Sequence, residues 1–441
     1  MSILPKILFL LILSIGIGFF IRNVRFIIKN IKLGKSIDRS DRPLERWKNM
    51  TLLALGQSKM IDKPVSGILH VIVYVGFIII NIELLEIVID GLIGSHRIFA
   101  PYMGSFYDFL IGSFEVLAFL VFLSVIIFWL RRNVIKIKRF LNPEMKGWPK
   151  KDADNILYFE IILMFLFLSM NAVDSLLQDL NTPNYIKAGF YPISYFLQPL
   201  YNDFSQSTLI LLERAFWWAH IIGILIFLNY LYYSKHLHIL LAFPNTYYAN
   251  MNSKGKFKNN SIVTNEVKNM MDPNIDPYSN EVSQPVPEKF GVSDVTDMNW
   301  VQLMNAYTCT ECGRCTSVCP ANQTGKKLSP RKIMMDTRDR LVEVGSNFRK
   351  NGEKIIPDGK ELLNDYISSE EIWACTSCNA CVESCPIGID PLSIIMDMRQ
   401  YLVMEKSSAP GDLNNMMGNI ENNGAPWPFN NQDRLLWASE N

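Results

Sequence analysis

Two stretches, CTECGRCTSVCP at residues 309–320 and CTSCNACVESCP at residues 375–386, hold all eight cysteines of the chain. Each has the spacing C-x2-C-x2-C-x3-C-P. Three thiolates so close together can cap three irons of one cubane, while the fourth, turned by its proline, reaches a second cubane. The duplicated pattern predicts two [4Fe-4S] clusters. Cys309, Cys312, Cys315 and Cys385 are expected on the first, and Cys375, Cys378, Cys381 and Cys319 on the second. Structural zinc sites pair C-x2-C units at longer intervals and need no third cysteine at x2. Disulfides require an oxidising compartment and leave the duplication unexplained. With four protein ligands per cluster, no iron stays open for bond chemistry, so the expected role is a wire and no catalytic residue is expected.

Outward from the cysteines the chain divides sharply. Its charge is nearly balanced, with 43 Lys and Arg against 42 Asp and Glu, but the first 245 residues are dominated by apolar runs and the rest is polar. The basic residues form short clusters beside apolar spans, a membrane signature that gives no sign of nucleic acid. Five stretches can cross about 30 Å of hydrocarbon as helices: Ile3 to Ile21, Val65 to Ile89, Phe106 to Leu130, Ile156 to Leu176 and Leu209 to Tyr233. The first has Lys6 before an apolar run, as a signal peptide does. No small-x-small cleavage site follows, and the run continues into IRNVRF, so a retained anchor is expected. Lys and Arg crowd the first connection (Arg22 to Lys63) and the third (Arg131 to Lys151), whereas the second and fourth hold little besides Arg97 and Lys187. That asymmetry predicts an inner-membrane protein with its N-terminus outside and its cysteines in the cytoplasm. Iron–sulfur cysteines belong in a reducing compartment, which agrees.

The expected fold is mainly α. A five-helix transmembrane bundle (1–244) precedes a linker (245–290), an all-helical dicluster ferredoxin domain (291–408) and a tail (409–441). The linker is rich in Asn, Ser, Pro and charge and is expected to bury little. Helical spacing runs from Asp297 to Tyr307, Pro330 to Val344 and Glu361 to Trp373. So long a helical insert argues against a small β-rich ferredoxin. The tail after Asp412 carries Trp427, Phe429, Leu435 and Trp437 beyond the cluster fold and is a candidate docking strip.

Of the five histidines, His70, His220 and His238 fall in or near spans, where ionisable groups are costly and usually functional. Bis-histidine haem b is the natural use. His220 and His238 are 18 residues apart, about five turns and 27 Å along one face of a continuous helix, with His236 near the opposite side. His70 and His238 share the cytoplasmic level and are the preferred pair for one haem. His70 with His220 remains an alternative, as do helix-packing or quinone-contact roles. On the outer side Glu83, Glu86, His96 and Arg97 are quinone-site candidates, with Asp90, Glu115 and Arg214 nearby. Exchanging protons with a quinone needs such groups beside an apolar pocket. Ordinary interfacial charges, or a simple Glu213–Arg214 pair, are the alternative.

The segments SKHLHILLAFPN (234–245), CTECGRCTSVCPANQTGKKLSPRKI (309–333) and ENNGAPWPFNNQDRLLWA (421–438) resemble membrane-bound Fe–S oxidoreductases. These are relatives of heterodisulfide reductase electron-transfer subunits, fused to a membrane domain similar to the nitrate reductase gamma subunit. The likeness covers nearly the whole chain. In that gamma type, two histidines on the second span and two on the fifth hold two haems. Here SGILH matches at His70, and His220 and His238 match by spacing. The other second-span ligand is replaced, which leaves one haem expected. Longer members continue into a cysteine-rich domain with CCG motifs, so the resemblance implies that this module is a separate subunit. The expected function is a membrane-anchored electron-transfer subunit, an oxidoreductase component without its own catalytic centre. It would link quinone, through haem b and two clusters, to a CCG-type disulfide reductase-like partner that connects in turn to an electron-transfer flavoprotein or a dehydrogenase. The alternative is a membrane-tethered redox-sensing or scaffold subunit without haem or quinone activity.

Overall fold

The computed structural model describes residues 3–257, 259–273 and 289–439. Among them the chain is mainly helical with no strand, and its isolated bridges are Lys35 with Asn299 and Leu363 with Ile367. Five helices are long and apolar enough to span a membrane: α1 (Ile3–Ile31), α2 (Pro64–Ile93), α3 (Ser105–Asn133), α4 (Trp148–Asp179) and α5 (Gln206–Tyr230). At 1.5 Å per residue each exceeds ~30 Å of hydrocarbon, so their ends reach the headgroup layer. Each span packs on the next, and α1 closes the ring by touching both α2 and α5. The outward side chains, such as Leu8, Phe77 and Phe109, are apolar and exposed, as a lipid-facing surface requires.

The fifth span differs from expectation. Helix α5 ends at Tyr230, a 3₁₀ turn covers Leu231–Tyr233, and Ser234 is extended at φ −112° and ψ 147°. A second 3₁₀ turn (Lys235–Leu237) then leads into α6 (His238–Tyr247). His220 and His238 therefore do not share one face of a continuous helix. The break persists because its freed N–H groups find partners: Ser234 Oγ accepts from His236 at 3.1 Å, and Asp152 of α4 accepts from Lys235 at 3.1 Å.

Helix α6 also crosses the boundary expected at residue 244. Asn245 and Thr246 are wholly buried, and Asn245 Nδ2 donates to the Ile387 carbonyl at 2.8 Å. Within the expected linker, α7 (Ser261–Met271) is helical. Residues 258 and 274–288 of that linker lie outside the described residues, as do 440–441 of the tail.

Beyond the linker, Asn299 and Gln302 form a capping box that starts α8 (Trp300–Thr308). Helix α9 (Pro330–Lys350) outruns its expected end at Val344. The helix expected from Glu361 to Trp373 forms as two turns, Leu362–Asp365 and Ser369–Trp373, because Asn364 is left-handed at φ 78° and Ser368 with Glu371 caps a new start. Helix α10 (Pro391–Met404) completes the domain, and α11 (Gly411–Asn423) follows it. In the tail Trp427, Phe429, Leu435 and Trp437 are exposed. One continuous core runs from α1 (Ile27) and the turns after α5 (Leu231, Leu237) into the cysteine domain (Met298, Leu303, Ile333, Ile395).

Candidate redox site

The two cysteine runs fold alike. Glu311 and Ser377, each two residues past its first cysteine, are left-handed (φ 55° and 53°), as are Gly313 and Asn379 just after the second (φ 74° and 61°). Each run then enters a short helix, Arg314–Val318 or Ala380–Glu383, and these two helices pack together. Asn379, Glu311 and Ser377 bear side chains in a conformation that favours glycine, so the surrounding structure must hold the backbone there.

All eight cysteines are free. Burial pushes the Cys309 thiol up to about 12, and Cys312 and Cys385 push the same way. Burial raises Cys381 to about 12 with Cys375 and Cys319 as sulfur neighbours, and raises Cys385 to about 11 with Cys312 nearby. Cys385 is thus within electrostatic reach of Cys309 and Cys312, and Cys319 within reach of Cys375 and Cys381. Backbone N–H groups of Ser377 and Ile389 point at the sulfurs of Cys375 and Cys385, each at 3.3 Å, as donors around cluster sulfurs do. The donor set fits two cubanes, and loading them would displace the thiol protons.

The first run abuts the membrane bundle. Arg314 donates to the carbonyls of Lys59 (2.7 Å) and Met60 (3.1 Å) just before α2, and lies within electrostatic reach of His70. Glu311 is buried between Lys235 and Arg338. His70 and His238 face each other with ring centroids 6.4 Å apart. Two imidazoles flanking one metal, at ~2 Å per bond, put ring centres roughly 6 Å apart. His238 Nδ1 meets the Lys235 carbonyl at 3.0 Å, the contact that leaves a histidine's other nitrogen free for a metal. His70 Nδ1 is buried without a partner. These two residues fit a bis-histidine group. The break at Ser234 also brings His236 to 5.4 Å from the His238 ring, contrary to its expected place on the opposite side. His220 stands apart, against Phe167 and the Leu163 backbone, with Nδ1 unpartnered.

At the other end of the bundle, Glu83, Glu86, His96 and Arg97 come together around a cavity of about 350 Å³ walled also by Phe9, Trp217 and Trp218. Arg97 is the hub. It donates to Asp174 (2.9 Å), Asn171 (2.8 Å) and Glu83 (3.2 Å), while His96 meets Asp174 at 2.9 Å. Glu83 Oε2 has no partner, and Tyr107 donates to Glu86 at 2.7 Å. Asp90 lines the cavity too, but its carboxylate accepts the Arg97 N–H (2.8 Å) and shapes the loop. Glu115 is committed elsewhere, to the backbone of Ile193 and Ser194 at 3.0 Å each. Glu213 and Arg214 do pair, and both line the cavity. Sequence reasoning missed Asp174, although a carboxylate inside an apolar span is itself a signal.

Fold and site define an iron–sulfur membrane protein: five apolar spans joined to a helical dicluster domain. Residues 308–389 match the family described as 4Fe-4S dicluster domain. The homologues are iron–sulfur oxidoreductases, heterodisulfide reductase subunits among them. The probable iron–sulfur-binding oxidoreductase FadF of Bacillus subtilis is 27% identical over 98% of this chain and 61% of its own length. The EtfAB:quinone oxidoreductase of Syntrophomonas wolfei is 25% identical over 92% of this chain and 55% of its own. A probable membrane-anchored ferredoxin of Chromohalobacter salexigens is 33% identical over 34% of this chain and 24% of its own. The chain thus spans little more than half the length of the first two relatives. No solved structure matches it. It is a multi-pass membrane protein that carries a 4Fe-4S dicluster domain.

Proposed function

We propose that the chain links a quinone pool, through haem b and two [4Fe-4S] clusters, to a redox partner in the cytoplasm. The carrying observation is the His70–His238 pair lying against the first cysteine run. His70 and His238 would hold the haem. Cys309, Cys312, Cys315 and Cys385 would hold the first cluster, and Cys375, Cys378, Cys381 and Cys319 the second. Bound haem and clusters supply one-electron transfer. In the outer cavity Asp174 holds Arg97 and His96 in the wall, and the Glu83 oxygen left unpartnered among the described residues can exchange its proton with a quinone. Phe9, Trp217 and Trp218 give the ring an apolar wall.

Position orders the path. The first run leans on the bundle, whereas Cys378 of the second is exposed, so the partner meets the second. The Lys and Arg asymmetry supports a cytoplasmic position for that face. The likeness to an EtfAB:quinone oxidoreductase supports quinone at one end and EtfAB as a candidate at the other. The likeness to heterodisulfide reductase subunits supports a CCG-type disulfide reductase-like partner. The exposed Trp427, Phe429 and Trp437 of the tail suit that docking. The test is optical and EPR spectroscopy of the detergent-solubilised chain treated with a quinol. Haem and clusters should both be reduced. His70→Ala should lose the haem band, keep the cluster signals and break quinol reduction of the clusters. Unchanged haem content in that variant would overturn the ligand assignment, and a wild type lacking haem would overturn the reading.

A further inference from the structure

A second cavity, about 710 Å³, opens where α2 and α3 leave the bundle beside the first cysteine run. Lys63, Arg131, Lys138 and Arg139 line it, and no carboxylate does. Neighbouring cations are compensated: Arg132 has Asp154 at 3.6 Å, and Arg331 has Glu144 at 2.7 Å. The four lining cations have no carboxylate within 4.0 Å among the described residues. Arg139 Nε is buried without a hydrogen-bond partner among the described residues. Helix α2 begins at this wall with no side-chain cap, so its first N–H groups add positive potential. Four cations with no carboxylate partner around one cavity favour an anion among them.

We propose that this cavity binds phosphate oxygens, and that an acidic phospholipid headgroup supplies them. Free phosphate offers the same chemistry, but the location favours lipid. Helices α2 and α3 emerge here at headgroup depth, and the exposed Val65, Val134 and Ile135 adjoin the cations, a surface for an acyl chain. Basic pockets between spans take anionic headgroups in this way. The lipid would join the bundle to the cysteine domain, since Lys63 and Arg139 lie on one side and Ser317 on the other.

The test uses the full chain, delipidated in neutral detergent, with phosphatidylglycerol, phosphatidylcholine or inorganic phosphate added. Melting temperature and native mass spectrometry are the readouts. Phosphatidylglycerol should raise the melting temperature and stay bound. Arg131→Gln with Arg139→Gln should weaken that binding at least tenfold. Lys63→Gln with Lys138→Gln, both at exposed positions, should weaken it without disturbing the fold, and Lys136→Gln outside the wall should not. Equal stabilisation by phosphatidylcholine, or undiminished binding in both double variants, overturns the site. Stabilisation by inorganic phosphate with no lipid retained overturns the lipid assignment.

Discussion

Lys235 shows how much one residue can connect. Its carbonyl holds His238 Nδ1, while its ammonium is buried against Glu311, between two cysteines of the first run, and lies 3.9 Å from Asp152 of α4. Burial would raise the Glu311 carboxyl, but Lys235 and Arg338 outweigh it and hold Glu311 below its usual range. Removing one partner from a buried ion pair leaves an uncompensated charge. Lys235→Met should therefore cost about 3 kcal/mol, read as lower-temperature loss of cluster absorbance during a thermal melt. Lys235→Arg should recover most of the loss. A Met variant that melts like wild type would refute the argument.

Between elements, α9 of the cysteine domain packs on α1 of the bundle. A methyl on Gly345 would lie 2.1 Å from Asn30 Oδ1. Asn30 cannot easily yield, because it donates to Tyr307 at 2.7 Å and accepts from Arg349 at 2.8 Å, and it is 1% exposed. Gly345→Ala should destabilise the joined structure by about 1–3 kcal/mol, the usual range for overpacking, seen as a lower urea midpoint in detergent. The neighbouring Gly352→Ala, with open space around its position, is a poor control because its φ of 66° strains any side chain. Gly418, helical and open, is the better one.

For the whole molecule, the shared core makes bundle and cysteine domain one cooperative body despite the polar connection between them. Ile27, Leu231 and Leu237 belong to one buried cluster with Met298, Leu303 and Ile333. Cleavage at a protease site placed after the exposed Lys256 should therefore leave both fragments together on size-exclusion chromatography in mild detergent. Their separation would refute the single core.

The sequence determined whatever depends on spacing along the chain. Span length, the asymmetry of Lys and Arg, and two cysteine periods are local properties, so five apolar helices and a dicluster domain were legible without coordinates. The tertiary structure decided what depends on partners far apart. The fifth span breaks at Ser234 because Asp152, some 80 residues earlier, satisfies the freed Lys235 N–H, and only that break brings His236 beside His238. Likewise Asp174 joins His96 and Arg97 only because α4 and the loop after α2 meet at one end of the bundle. A buried charge needs its counter-charge nearby in space, and separation in sequence does not reveal which residue will supply it.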